Sequence, residues 1–276
     1  MIKFIVILLV ATFGIGLATW LLGLWPFDGA DIPPIGQEVL VESEQTAKVE
    51  DALALMRQAV ERFASVKDYE CTYLRDELID GTFHENHLRL RVRNEPFAVR
   101  MEWLAPKGKK GRVTTYLAGR NQDQMVVKEP VVRGLPPIRV HLEPEESRKR
   151  KESRHVITEA GLRNAMVRCE ARWERDLAQG ITNATLEDTE LIVALPDHEV
   201  LRPCRRVTLL RPAEPEKRAV FDYYRVQVYF DKDTKLPIRF ETFDWPQPGH
   251  ENGRLIERYT YLDVRTNLGF KDADFE

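Results

Sequence analysis

The chain opens with an unbroken apolar run and then settles into alternating and helical patterns. No residue from Phe4 to Trp25 is charged, and most are Ile, Val, Leu, Phe, Ala or Gly. As a helix this run would reach roughly 33 Å at about 1.5 Å per residue, enough to cross a bilayer core. Lys3 precedes it and Asp28 follows it, and Trp20, Trp25 and Phe27 fall where an interfacial aromatic belt would lie. The pattern predicts a transmembrane helix within residues 1–27, with the lone Lys3 favouring an exported domain. A cleaved signal peptide is the alternative. Against it, the run exceeds the usual ~7–15-residue apolar region and no clean A-x-A site follows. Residues 28–45, with Pro33, Pro34, Gly29 and Gly36, read as a linker.

The remainder, residues 46–276, reads as one domain. Val49, Leu53, Met56, Val60 and Phe63 recur at three- and four-residue spacing and predict a helix with one apolar face. Asp80-Gly81 predicts a two-residue hairpin turn, because a type I′ turn needs positive φ at both positions. That turn sets the register: Ile79 opposes Thr82, Glu77 opposes His84, Arg75 opposes Asn86, Tyr73 opposes Leu88 and Cys71 opposes Leu90. The other face, with His87, Arg89, Arg91 and Arg93, reads as solvated. Phe97, Val99, Met101 and Trp103 alternate with charged residues in the next strand. Arg112–Ala118 and Gln124–Lys128 predict two more. Residues 129–154 are proline-punctuated and then heavily charged. A second helix is predicted at 158–179, capped by Thr158 and ended by Gly180, with Leu162, Met166, Cys169, Trp173 and Leu177 on its apolar face. Strands are predicted near 185–195, 204–211, 220–231, 236–243 and 255–264. Many strands and two main helices give an α+β fold with one large curved antiparallel sheet.

Composition narrows the function. The 276 residues carry a net charge of −3, without the basic excess of a nucleic-acid binder. The sequence contains no G-x-S-x-G, P-loop, H-E-x-x-H or C-x-x-C signature. His84 and His87 stand three apart on a strand, on opposite faces, so no metal site is expected. Asp231-Lys-Asp233 begins like a calcium loop, but Leu236 and Thr242 occupy the positions needing Gly and Glu. No cofactor is expected. Arg148-Lys-Arg-Lys151 is flanked by Glu143, Glu145, Glu146 and Glu152 and reads as a solvated loop, with anionic lipid headgroups as the alternative contact. Cys71 and Cys204 both fall on predicted strands, and an exported compartment permits a bridge between them. Cys169 reads as a buried thiol. His155 is a candidate for acid–base work, with a structural or capping role preferred.

Several uncommon strings occur in order: Asp68-Tyr-Glu-Cys-Thr72, Pro96-Phe-Ala-Val99, Gly180-Ile-Thr-Asn-Ala-Thr-Leu-Glu-Asp188, Phe243-Asp-Trp-Pro246 and Glu257-Arg-Tyr-Thr-Tyr261. Through them the chain resembles the bacterial family of domain of unknown function 1571. The stretch Val228–Glu241 is similar to a strand–turn–strand of the LolA-like, lipoprotein-carrier superfamily. The resemblance implies an open half-barrel of strands wrapped around the helices, with an apolar cavity that in carriers receives acyl chains. No activity comes with it. The expected cavity residues are Leu88, Leu90, Val99, Met101, Trp103, Val226, Val228, Phe230, Ile238 and Phe240, with Arg75, Glu77 and His84 at the rim. Each also fits a packed core. Expected partners are the membrane, through the N-terminal helix, and a lipid or lipoprotein ligand. A protein-interaction domain without lipid carriage is the alternative, and a hydrolase a minor one.

Overall fold

Asp80 and Gly81 both take positive φ, 49° and 81°, and the hairpin they form has the predicted register. Strands β2 (Asp68–Ile79) and β3 (Thr82–Arg93) pair with Ile79 opposite Thr82, Glu77 opposite His84 and Cys71 opposite Leu90. The structure, a computed structural model, describes residues 38–130 and 138–276. The predicted membrane segment therefore lies outside the described residues. Among the described residues, no helix is long and apolar enough to cross a membrane.

The hairpin extends on both sides into a larger antiparallel sheet. After β3 come β4 (Ala98–Ala105), β5 (Val113–Leu117), β6 (Met125–Lys128) and β7 (Arg139–Leu142). Strands β8 (Asn183–Ala194), β9 (Glu199–Leu210), β10 (Arg225–Asp231), β11 (Pro237–Phe243) and β12 (Leu255–Thr266) follow later in the chain. The strand β1 (Glu38–Lys48) pairs with β8, and the described strands order as β1-β8-β9-β10-β11-β12-β2-β3-β4-β5-β6-β7. β1 corrects the linker boundary. Residues 38–45, assigned to a linker from the sequence, continue the ladder along one edge of β8. The described residues form a large unit, 38–191 and 201–276, and part of a smaller one, 192–200. In the smaller, Leu195 N–H donates to the His198 carbonyl at 2.8 Å.

Two helices share the core of the large unit with one face of the sheet. Helix α1 (Val49–Phe63) buries Val49, Leu53, Met56 and Phe63 as predicted, with Val60 only partly buried. A short helix, α2 (Glu146–Lys149), lies in the charged segment. Helix α3 (Leu162–Ala178) buries Leu162, Met166, Cys169 and Trp173. Burying a Leu, Met or Phe side chain contributes roughly 1.5–3 kcal/mol. These helical faces therefore hold the layers together.

The start of α3 differs from expectation. Thr158 does not cap it, because Ile157–Glu159 form a separate 3-10 turn. The Tyr69 hydroxyl from β2 accepts from Leu162 N–H at 2.6 Å. Gly161 permits this contact. Its φ is 103°, and a Cβ there would stand 2.9 Å from the Tyr69 oxygen. The arginine face of β3 is also less solvated than its pattern suggests. Arg91 and Arg93 lie over the rings of Phe270 and Phe275, 5.4 and 5.5 Å from their centroids. Phe275 itself is fully buried against Ala98 and Leu117.

Cys71, Cys169 and Cys204 are all free and buried, so the expected Cys71–Cys204 bridge is not formed. Cys71 faces the core. Cys204 stands three residues from core-facing Val207 and so turns to the opposite face. Strands β10, β11 and β12 separate β9 from β2, whereas a disulfide needs Cα atoms within about 7 Å. Burial pushes the Cys71 thiol up and raises those of Cys169 and Cys204 to about 12. Denaturation without reductant, followed by iodoacetamide and mass spectrometry, is expected to label all three. Tyr69→Phe is expected to cost about 1–2 kcal/mol in urea unfolding, because Leu162 N–H loses its acceptor inside the core.

Candidate functional site

The site begins with two carboxylates. Glu77 on β2 and Glu257 on β12 are directly opposed in the ladder, and both are almost wholly buried. Two buried like charges repel unless donors surround them. Residues 153–155, just before α3, bring several. Glu77 Oε1 accepts from the Ser153 hydroxyl at 3.2 Å and from Arg154 N–H at 3.2 Å. Glu257 Oε2 accepts from Arg154 Nε at 3.2 Å and meets His155 Nε2 at 3.0 Å. The Tyr259 hydroxyl lies 2.7 Å from Glu77 and 3.2 Å from Glu257, so its single proton goes to Glu77.

His155 is held at both nitrogens. Its Nδ1 lies 3.1 Å from Glu159, opposite the Nε2 contact with Glu257. Burial pulls its pKa down, but the hydrogen bond and charge of Glu257 outweigh that, and the net direction is up. Both ring nitrogens are thus engaged by carboxylates, Nδ1 by Glu159 and Nε2 by Glu257. Burial likewise pushes Glu257 up, yet His155 and Arg154 pull it down to about 2. The Ser153 hydroxyl donates to Glu77, and its oxygen accepts from His155 N–H at 3.3 Å, not from the His155 ring. The arrangement is a clip that fastens residues 153–159 to the sheet, not a nucleophile relay.

Beside the clip lies a cavity of about 60 Å³, counted over positions that the centre of a water could occupy. A water needs roughly 10–15 Å³ on that measure, so the cavity has room for about four or five. Its apolar wall includes Tyr73, Met101, Trp103, Met125, Val127 and Ile157, and its polar wall includes Arg75, Glu77, Glu159 and Arg168. Trp103 is fixed by its indole N–H, which donates to Asn86 Oδ1 at 3.1 Å. The Arg75 guanidinium sits 5.6 Å from the Trp103 ring centroid.

Of the expected cavity residues, Met101 and Trp103 line this space. Leu88, Leu90, Val99, Val226, Val228, Phe230 and Phe240 are packed in the core cluster instead, and Ile238 is buried. Arg75 and Glu77 line the cavity but are buried within it rather than placed at a rim. His84 stays near the hairpin tip and does not line it. The residues that the sequence reading missed include Tyr73, Thr114, Met125, Val127, Glu257 and Tyr259, together with the Ser153–Ala160 segment apart from His155. Met125 and Val127 alternate on a strand that was predicted, which was the available signal. Arg148–Lys151 pairs with neighbouring acids: Lys149 with Glu146 at 3.0 Å, and Lys151 with Asp80. No cluster of residues suited to a metal ion occurs among the described residues.

The clip gives stability a pH dependence with a defined sign. His155, raised in the fold, contributes fully below its ordinary 6.5, and that contribution is lost as pH rises through the folded value. Glu257, lowered from 4.5 to about 2, contributes fully above 4.5 and loses this as pH falls towards 2, on the order of 3 kcal/mol. Urea unfolding of the full chain is expected to be most stable between about pH 4.5 and 6.5 as far as this pair decides it. His155→Gln should flatten the decline above about pH 6.5.

No curated protein matches the chain. Solved structures with a similar layout include the lipoprotein LppX of Mycobacterium tuberculosis, 13% identical with a TM-score of 0.42, covering 80% of this chain and 98% of that one. A putative outer membrane lipoprotein-sorting protein domain from Vibrio parahaemolyticus is 13% identical with a TM-score of 0.35, covering 83% and 97%. A LolA superfamily protein from Nitrosomonas europaea is 11% identical with a TM-score of 0.30, covering 83% and 98%. At these values nothing about a ligand is transferred from them. The family model described as Protein of unknown function (DUF1571) matches residues 66–276, three-quarters of the chain, and the chain belongs to that family.

Proposed function

We propose that this protein binds an apolar ligand, a lipid or an acylated peptide, in an exported domain tethered to the membrane by its N-terminal apolar segment. The observation that carries the binding reading is the unfilled cavity beside Trp103. Met101, Trp103, Met125 and Val127 present apolar surface to open space, while Val207 and Leu209 of β9 and Val226, Val228 and Phe230 of β10 are packed in the core cluster. Apolar walls with a few converging polar groups are the usual make-up of a small-molecule site. The tether rests on the uncharged run Phe4–Trp25.

The volume sets a limit on the ligand. About 60 Å³ admits the end of an acyl chain, not its whole length. A longer chain needs the 153–159 segment to move, and that segment is held by the Glu77 and Glu257 contacts. Binding of a long chain therefore competes with the clip. A protein-interaction role is the second reading. It is favoured by β7, which ends the sheet order and exposes Arg139, Val140 and His141.

Ala160 lines the cavity, and Ala160→Phe fills it without touching the clip. Native mass spectrometry of the full chain, released from mild detergent, is expected to show a lipid or acyl adduct. Ala160→Phe should reduce its occupancy at least tenfold. A wild-type chain that carries no apolar adduct but retains a stable protein partner overturns the reading in favour of the second.

A further inference from the structure

The geometry points to the polar end of the ligand: an uncharged group that both donates and accepts a hydrogen bond, an amide or a hydroxyl, held between Arg75 and Glu77. This rests on the apolar-ligand reading and specifies it. Glu77 uses its two oxygens unequally. Oε1 accepts from Ser153, Arg154 and Tyr259. Oε2 is buried and accepts no hydrogen bond. Arg75 Nε lies 3.5 Å from that oxygen, close enough for an ion pair, and is also buried without a hydrogen bond. Both side chains are more than nine-tenths buried, and both line the cavity.

One acceptor and one donor thus stand side by side in a space with an apolar wall. Buried polar groups call for partners. A bare carboxylate or phosphate could accept from Arg75, but it would lie against Glu77 Oε2, with Glu152 and Glu159 also lining the cavity. An ammonium could donate to Glu77, but it would meet Arg75 and Arg168. A primary amide satisfies both atoms, its carbonyl accepting from Arg75 Nε and its syn N–H donating to Glu77 Oε2, whereas a trans secondary amide points these two groups in opposite directions. A hydroxyl does the same through one oxygen. The hydrocarbon then extends along Met101 and Trp103. The shared chemistry fits a fatty primary amide or the free hydroxyl of a partial glyceride.

A matched six-carbon series tests this on the purified full chain by ligand-observed NMR titration: hexanamide, 1-hexanol, hexanoate and hexylamine. Hexanamide and 1-hexanol are expected to bind at least tenfold more tightly than the two ions. Preference for hexanamide over 1-hexanol points to the fatty-amide source, and the reverse to the glyceride. Glu77→Gln keeps the shape while removing the charge, and should bring hexanoate to within about threefold of hexanamide. Hexanoate or hexylamine binding the wild-type chain as tightly as hexanamide overturns the inference and leaves the apolar-ligand reading standing. If none of the four binds, that reading falls as well. The wild-type series decides the matter even if Glu77→Gln does not fold.

Discussion

Glu77 and Glu257 face each other across two neighbouring strands with almost no access to water. A buried carboxylate is tolerable only when paired and hydrogen-bonded, and two side by side double the demand. Residues 153–159 exist in their observed place because they meet it. Ser153, Arg154 and His155 supply donors, and Tyr259 adds one from the sheet. Once docked, this segment roofs part of the cavity and delivers the chain to Gly161 and the start of α3. The same electrostatic requirement therefore positions a helix and shapes a binding space.

The opposite face of the sheet solves a similar problem without a roof. Thr208, Gln227, Glu241, Arg258, Asp76 and Glu85 follow one another in register from β9 to β3. Within this row Arg258 Nε donates to Asp76 at 2.8 Å, and Gln227 donates to Thr208 at 3.2 Å. Cross-strand pairs of this kind stabilise a sheet locally. They need no third segment.

Local rules made much of the fold legible in the sequence. The Asp80-Gly81 turn determined the β2–β3 register, and helical spacing located the buried face of α1. The site was harder to read, because its parts lie far apart in the chain. Glu77 read as a rim residue until β12 was placed beside β2, a neighbour that no spacing rule identifies. His155 could be singled out, but not its two carboxylate partners. The charged stretch before it is exposed as read, but nothing in its pattern signals that Ser153 and Arg154, just beyond it, bond to groups over 70 residues away. The helix cap failed for the same reason: Tyr69 is 93 residues from Leu162, while Thr158 was the nearest local candidate. The cavity list took every inward apolar residue alike, and of these Met101 and Trp103 border the open space.

The strand order also has a kinetic meaning. The pairing of β12 with β2 joins residues about 180 positions apart, and closing so long a loop early in folding is entropically unfavourable. A chain that emerges N-terminus first can form the β2–β3 hairpin while most of its length is still missing. Glu77 must then wait, without Tyr259 or a docked partner strand, until the last quarter of the chain arrives. The binding space is accordingly among the last features to assemble, and a truncated or stalled chain would carry the hairpin but no site.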